Sequence, residues 1–188
     1  MTERERLKAL LIERSVRLGD FTLASGAKSD YYVDARTTTM CAEGQALVGL
    51  AGYRAIVNSG LEPTHVGGLT MGADPVSYAI AHRSFLEASP IDGFSVRKQA
   101  KDHGTGQRIE GGLPEGAGCI VIEDTVTTGR SSLQAVEAIR AHGARVLAVL
   151  CLVDRSDGAD RFYEEQGLRL ISLFTGNELL EAARAATD

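Results

Sequence analysis

Between Cys119 and Ser132 the chain reads Cys-Ile-Val-Ile-Glu-Asp-Thr-Val-Thr-Thr-Gly-Arg-Ser-Ser. An apolar, β-branched run meets two adjacent carboxylates, Glu123 and Asp124. A Thr/Gly loop follows, and then a helical pattern from about Ser131 to His142. This order reads as a buried parallel strand, a tight loop and a helix N-terminus. Such a loop turns backbone N–H groups and hydroxyls toward an anion, and the helix dipole favours the negative charge. With a sugar 5′-phosphate in the loop, the two acids fall where the ribose hydroxyls lie. Without a ligand, the same residues make an ordinary βα turn with a capping hydroxyl and two solvated carboxylates.

The rest of the chain repeats the strand-then-helix rhythm. Strands are expected at His65–Leu69, Gly93–Val96, Cys119–Ile122, Val146–Val153 and Leu168–Leu173, with helices at Pro75–Ala88, Ser131–His142, Ala159–Gln166 and Glu178–Ala186. Alternation of this kind predicts an α/β fold, a parallel sheet flanked by helices. Ligands in such sheets bind beyond the carboxyl ends of the strands. Ahead of it lie a helix from residue 3 to about 18, with Thr2 as N-cap, Val16 on its apolar face and Gly19 as its stop. Two short strands, Phe21–Leu23 and Tyr31–Val33, and a helix from Glu43 to Asn58 ending at Gly60 follow. A length of 188 residues fits one domain, 1–188, in which residues 1 to about 40 add a helix and a small N-terminal hood.

Charge and cysteines narrow the possibilities. The net charge of −5 lacks the basic footprint of a general nucleic-acid binder. Cys41, Cys119 and Cys151 lie far apart and form no C-x-x-C pair, so zinc and redox motifs are not expected. Cys119 and Cys151 fall inside apolar strands and read as small buried hydrophobes. No signal peptide is apparent at the charged start, and no apolar run reaches the roughly 20 residues of a membrane span. A cytoplasmic protein is the default expectation.

The alternation breaks at Arg97–Pro114, a stretch with five Gly or Pro residues after His103 and cations at Arg97, Lys98, Lys101 and His103. A loop of this length in a compact domain is usually functional or disordered. Gly67-Gly-Leu-Thr-Met-Gly-Ala-Asp74 is a second glycine-rich βα turn able to bring N–H groups to an anion. Other phosphate motifs fail. Gly26-Ala-Lys28-Ser29 has an inserted residue relative to a Walker A loop, and Gly104-Thr-Gly106 has no glycine at position 109. His65, His82 and His142 belong to no motif and read as structural or surface residues.

The Cys119–Ser132 run closely resembles the site that binds 5-phosphoribosyl 1-pyrophosphate in type I phosphoribosyltransferases. Arg97-Lys98-x-x-Lys101-Asp-His103-Gly104 resembles the catalytic loop of the orotate phosphoribosyltransferases among them. Leu152-Val-Asp154-Arg155 and Ser25–Asp34 resemble that family's base-recognition arginine and its hood. The resemblance extends from about residue 20 to Arg155.

It implies transfer of ribose 5-phosphate from the pyrophosphate donor to N1 of orotate. It assigns donor binding to Arg97, Lys98, Lys101, His103, Glu123 and Asp124 and to the loop Thr125, Val126, Thr127, Thr128, Gly129, Arg130 and Ser131. It implies that Lys101, His103 and Asp124 carry the catalysis. Lys28, Tyr31, Tyr32, Thr127 and Arg155 attend orotate. It implies Mg²⁺ held mainly by the donor's own oxygens, with no firm protein metal ligand. A homodimer would let Arg97, Lys101 and His103 reach a neighbour's site. Many members carry a lysine near the position occupied here by Met71, so backbone groups or other cations must take on more of the pyrophosphate.

Two alternatives stay open. One is a phosphoribosyltransferase for another base, a purine or uracil, which should lack the Lys-x-x-Lys-Asp-His-Gly loop. The other is a non-catalytic regulator on the same fold, which should show a basic face and a degraded loop.

Overall fold

The computed structural model describes residues 1–22, 28–99, 108–156 and 159–186. The chain opens with α1 (Glu3–Arg14), closed by a capping box in which Thr2 Oγ1 accepts from Glu5 N–H and Glu5 answers to Thr2 N–H. An antiparallel pair follows, β1 (Val16–Thr22) and β2 (Lys28–Val33), registered Val16 to Val33 and Thr22 to Lys28.

Here the expectation of one helix to about residue 18 is corrected. The helix stops at Arg14 because β-branched Val16 finds a strand partner in Val33, and Gly19 lies inside β1 beside the irregularity between Leu18 and Phe21. Next come the short α2 (Arg36–Thr39) and α3 (Ala42–Ser59), where Cys41 Sγ accepts from Gly44 N–H at 3.3 Å as an N-cap.

From there the chain alternates: β3 (His65–Leu69), α4 (Ala73–Leu86), β4 (Asp92–Val96), β5 (Ile109–Glu110), β6 (Gly118–Val126), α5 (Arg130–Ala141), β7 (Arg145–Asp154), α6 (Ala159–Glu165), β8 (Leu170–Thr175) and α7 (Gly176–Ala185). Among the described residues the six-stranded sheet runs β5-β4-β3-β6-β7-β8, and every pairing is parallel except β4 with β5.

Part of the stretch expected as loop is therefore ordered. Ile109 and Leu113 bury themselves beside Phe94, and Arg97 N–H donates to Arg108 O at 2.7 Å. Strand β6 also runs on past Ile122, so the two acids lie on a paired strand, Glu123 opposite Cys151.

The sheet is buried on both faces, which explains the unbroken apolar runs of β6 and β7. One cluster packs α1, α3, α4 and α7 on Ile120, Ile122, Leu150 and Leu152. The other packs α5 and α6 on Cys119, Val121, Val149 and Cys151. Burial pushes the Cys119 and Cys151 thiols up to about 12. His65 is buried against Thr64 Oγ1, His142 bonds Leu113 O, and His82 is exposed. No helix among the described residues is long and apolar enough to cross a membrane.

Candidate active site

The connection from β3 runs outward to β4 on one side, and the connection from β6 runs to β7 on the other. The carboxyl ends of β3 and β6 therefore flank a topological switch point, where open α/β sheets form a crevice. A cleft of about 430 Å³ lies there. Its walls are Tyr32–Asp34 and Arg36 from the hood side, Leu69–Gly72 from the turn after β3, Lys98, and Glu123–Thr125 with Ser131.

The two carboxylates sit differently. Glu123 is 6% exposed, and its Oε2 accepts from Ser131 Oγ at 2.7 Å. Desolvation lifts its carboxyl to about 7; Asp124 adds repulsion, while the Ser131 bond opposes the rise. Asp124 is also pushed up, first by burial, against the pull of Thr125 N–H, which donates to Oδ1 at 2.8 Å. Gly72 makes room for it, since a Cβ there would lie 2.6 Å from Asp124 Oδ1. A side chain at residue 72 would collide with the carboxylate, which is why this turn carries glycine.

The loop expected to hold phosphate leaves β6 at Val126 and enters α5 at Arg130. Gly129 takes φ +73°, and a Cβ on it would strike the Phe162 ring at 2.7 Å. Thr127, Thr128, Arg130 and Ser131 are exposed around it. The Val126 side chain is buried and does not line the cleft, and its carbonyl accepts from Arg155 N–H at 2.8 Å.

On the opposite wall the Thr70–Met71 peptide bond is cis, Thr70 N–H donates to Val96 O at 2.9 Å, and Met71 is 61% exposed. Asp74, in the first turn of α4, accepts from Ser95 Oγ at 2.6 Å, and burial raises its carboxyl.

The base-recognition residues lie far apart in sequence and meet in space. The Arg155 guanidinium lies over the Tyr31 ring at 4.8 Å and the Tyr32 ring at 5.9 Å, and Nη2 donates to Tyr31 O at 3.4 Å. Its Nε is buried and has no hydrogen-bond partner among the described residues. Lys28 Nζ donates to Thr22 Oγ1 at 3.0 Å across the hood, and Lys28 does not line the cleft. Arg97 pairs with Glu110 at 3.3 Å, and Lys98 reaches the cleft. Lys101 and His103 lie outside the described residues.

Sequence reasoning missed Arg36, which stands in the cleft wall with Nε 2.9 Å from Asp34 Oδ1 and Nη2 3.1 Å from Oδ2. Nothing in its spacing marks it, because only the fold of the hood turns it inward.

The arrangement joins an acidic floor, a Thr/Gly loop at a helix start, a second backbone-rich turn and an arginine stacked on two tyrosines. A family model, the phosphoribosyl transferase domain, matches residues 49–167. The orotate phosphoribosyltransferase of Aquifex aeolicus (strain VF5) is 45% identical over 183 residues, covering 96% of this chain and 99% of that protein. The crystal structure of Mycobacterium tuberculosis H37Rv orotate phosphoribosyltransferase with Fe(III) dicitrate is 42% identical. It superposes with a TM-score of 0.81, covering 95% of this chain and 99% of the other. The same enzyme in complex with 5-phospho-α-D-ribosyl 1-diphosphate gives 37% identity and a TM-score of 0.78, again over 95% and 99% of the two chains.

Proposed function

The chain belongs to the orotate phosphoribosyltransferases of the phosphoribosyl transferase domain family, and from that premise we infer how its cleft works. The reaction moves ribose 5-phosphate from 5-phosphoribosyl 1-pyrophosphate to N1 of orotate, yielding orotidine 5′-monophosphate and pyrophosphate for pyrimidine biosynthesis. The anomeric C–O bond to pyrophosphate breaks and a C–N1 bond forms, with positive charge developing on the sugar between them.

The observation that carries the site assignment is the Glu123–Asp124 pair on the floor of a cleft bounded by the start of α5 and the Thr70–Gly72 turn. In our reading Thr125–Ser131 cradle the 5′-phosphate, and Glu123 and Asp124 hold the ribose hydroxyls beneath the cationic sugar. Lys98, with Lys101, His103 and Arg97, attends the leaving pyrophosphate, where fixed cations stabilise charge that grows in the transition state. Arg155 takes the orotate carboxylate through its planar fork while Tyr31 and Tyr32 flank the base. Lys28 completes that subsite when the hood shifts toward the base, and Thr127, exposed on the β6–α5 loop, borders it from the other side.

The oxygen-only donors of the floor, Glu123 and Asp124, fit Mg²⁺, a hard cation that keeps water and substrate phosphates as ligands. We assign these carboxylates to the ribose oxygens and waters around it. The ion neutralises pyrophosphate charge when bound.

We read residues 1–188 as one transferase unit whose first 40 or so residues act as hood, working in the cytoplasm as a homodimer. Tyr78, Phe85 and Leu86 support the dimer, since they expose apolar surface along one face of α4. With purified protein, loss of orotate ultraviolet absorbance should require orotate, donor and Mg²⁺ together. A chain that binds donor but leaves orotate intact in this assay sends the reading to uracil, a purine or a regulatory role.

A further inference from the structure

The turn that faces the cleft from β3 presents Met71 and no side-chain cation. The described residues lining the cleft carry three acids, Asp34, Glu123 and Asp124, against two cations, Arg36 and Lys98. A donor with several phosphate charges needs more positive charge at the turn than its backbone amides offer. Arg36 lines the same cleft as Thr70–Gly72, from the hood side, with half of its side chain open to solvent.

Its orientation is controlled. Asp34 engages Nε and Nη2 in a two-point pair, and its carboxylate also accepts from Arg36 N–H at 3.2 Å. The Arg36 guanidinium beside it lowers the Asp34 carboxyl from its ordinary value, which favours the ionised form that grips the arginine. The Nη1 edge has no protein hydrogen bond among the described residues. Arg36 also feels the charge of Asp124, whose carboxyl it helps to lower against burial. A guanidinium clamped along one edge at the wall of the cleft, with no protein hydrogen bond at Nη1 among the described residues, keeps N–H groups for bidentate phosphate recognition.

We propose that Arg36 is a donor-binding residue that receives the pyrophosphate beside the Thr70–Gly72 turn, supplying the cation that Met71 does not, with Asp34 as its positioning partner. The proposal rests on the transferase reading above. Its substrate chemistry is a sugar diphosphate, and inorganic pyrophosphate is the minimal probe.

Titration calorimetry with inorganic pyrophosphate and Mg²⁺, alongside steady-state kinetics, tests it. Arg36→Gln should weaken pyrophosphate binding and raise the donor KM about tenfold, roughly 1.4 kcal/mol, while the orotate KM stays within twofold. Arg36→Met, which keeps the aliphatic stem, should do the same if the glutamine variant fails to fold. Asp34→Asn removes the pair but leaves the guanidinium, and should cost no more than about threefold. Adding Met71→Lys to Arg36→Gln should recover pyrophosphate affinity.

Unchanged pyrophosphate affinity in both Arg36 variants overturns the proposal. Equal losses in Arg36→Gln and Asp34→Asn make the pair a structural brace and also overturn it. A Met71→Lys substitution that recovers nothing overturns the location at the turn. Failure of the wild-type protein to use donor and orotate at all is a different result, and it falls on the transferase reading.

Discussion

Replacing Arg155 by alanine should raise the orotate KM about a hundredfold, with a much smaller change in the donor KM. The loss of a charge-assisted, two-point hydrogen bond to a carboxylate costs about 2–3 kcal/mol, and 2.7 kcal/mol is a hundredfold in affinity. The side chain is already oriented for the task by the tyrosine rings at 4.8 and 5.9 Å, so little ordering entropy is lost on binding. Lysine at residue 155 should recover little, because an ammonium lacks the planar fork and stacks less well on tyrosine. The same variant should discriminate poorly between orotate and uracil, which differ in the carboxylate. Steady-state kinetics with both bases measures this, and an Arg155→Ala enzyme with a normal orotate KM removes Arg155 from the base subsite.

The second large effect concerns Glu123, and it acts in opposite directions on stability and on turnover. Its carboxyl is raised from 4.5 in the unfolded chain to about 7 in the fold, chiefly by burial. A raised folded value means that the group's favourable contribution is complete below pH 4.5 and is lost as pH climbs through 7. The shift corresponds to about 3 kcal/mol at full ionisation. Glu123→Gln should therefore melt near the wild-type temperature at pH 4.5 and about 5–10 °C above it at pH 8. Turnover should fall by about a hundredfold above pH 7, where the wild-type carboxylate is ionised, and by less as pH falls below it, because the amide cannot carry charge beneath the developing cation. Scanning calorimetry across that pH range checks the first part, and a wild-type-like melting temperature at pH 8 would count against the buried, raised carboxylate. Donor binding that needs the ionised form should also release a proton below pH 7, visible as a buffer-dependent heat.

These two residues show why the sequence was legible in some places and opaque in others. Glu123 stands on β6, where an apolar run buried on both faces writes itself as consecutive Ile and Val and ends at the ligand edge of the sheet. Strand β3, His65–Leu69, was readable for the same reason. Arg155 was found by resemblance, but its stacking on Tyr31, 124 residues earlier, leaves no local pattern. Val16 misled because the apolar helix pattern of Leu7 and Leu11 was carried on past Arg14, although a helix would turn Val16 away from Leu7, and the partner that makes it a strand residue is Val33. Ile109 and Glu110 hid in a glycine-rich stretch because a two-residue edge strand has no period to detect. Arg36 is the clearest omission, being an isolated cation that matters only after the hood folds back on the sheet.

The three thiols have a practical consequence for watching this molecule open. Cys119 and Cys151 sit at the centre of the sheet, fully enclosed, while Cys41 is partly accessible at the start of α3. A thiolate is the species that reacts, so an alkylating reagent should consume one equivalent from the native protein at mildly alkaline pH. The other two equivalents should appear only when β6 and β7 part, on the timescale of the rarest and largest fluctuations. The chain thus carries its own slow clock in the middle of its sheet, beside an accessible internal standard. Mass spectrometry of a timed alkylation would count how often β6 and β7 come undone, with and without donor bound.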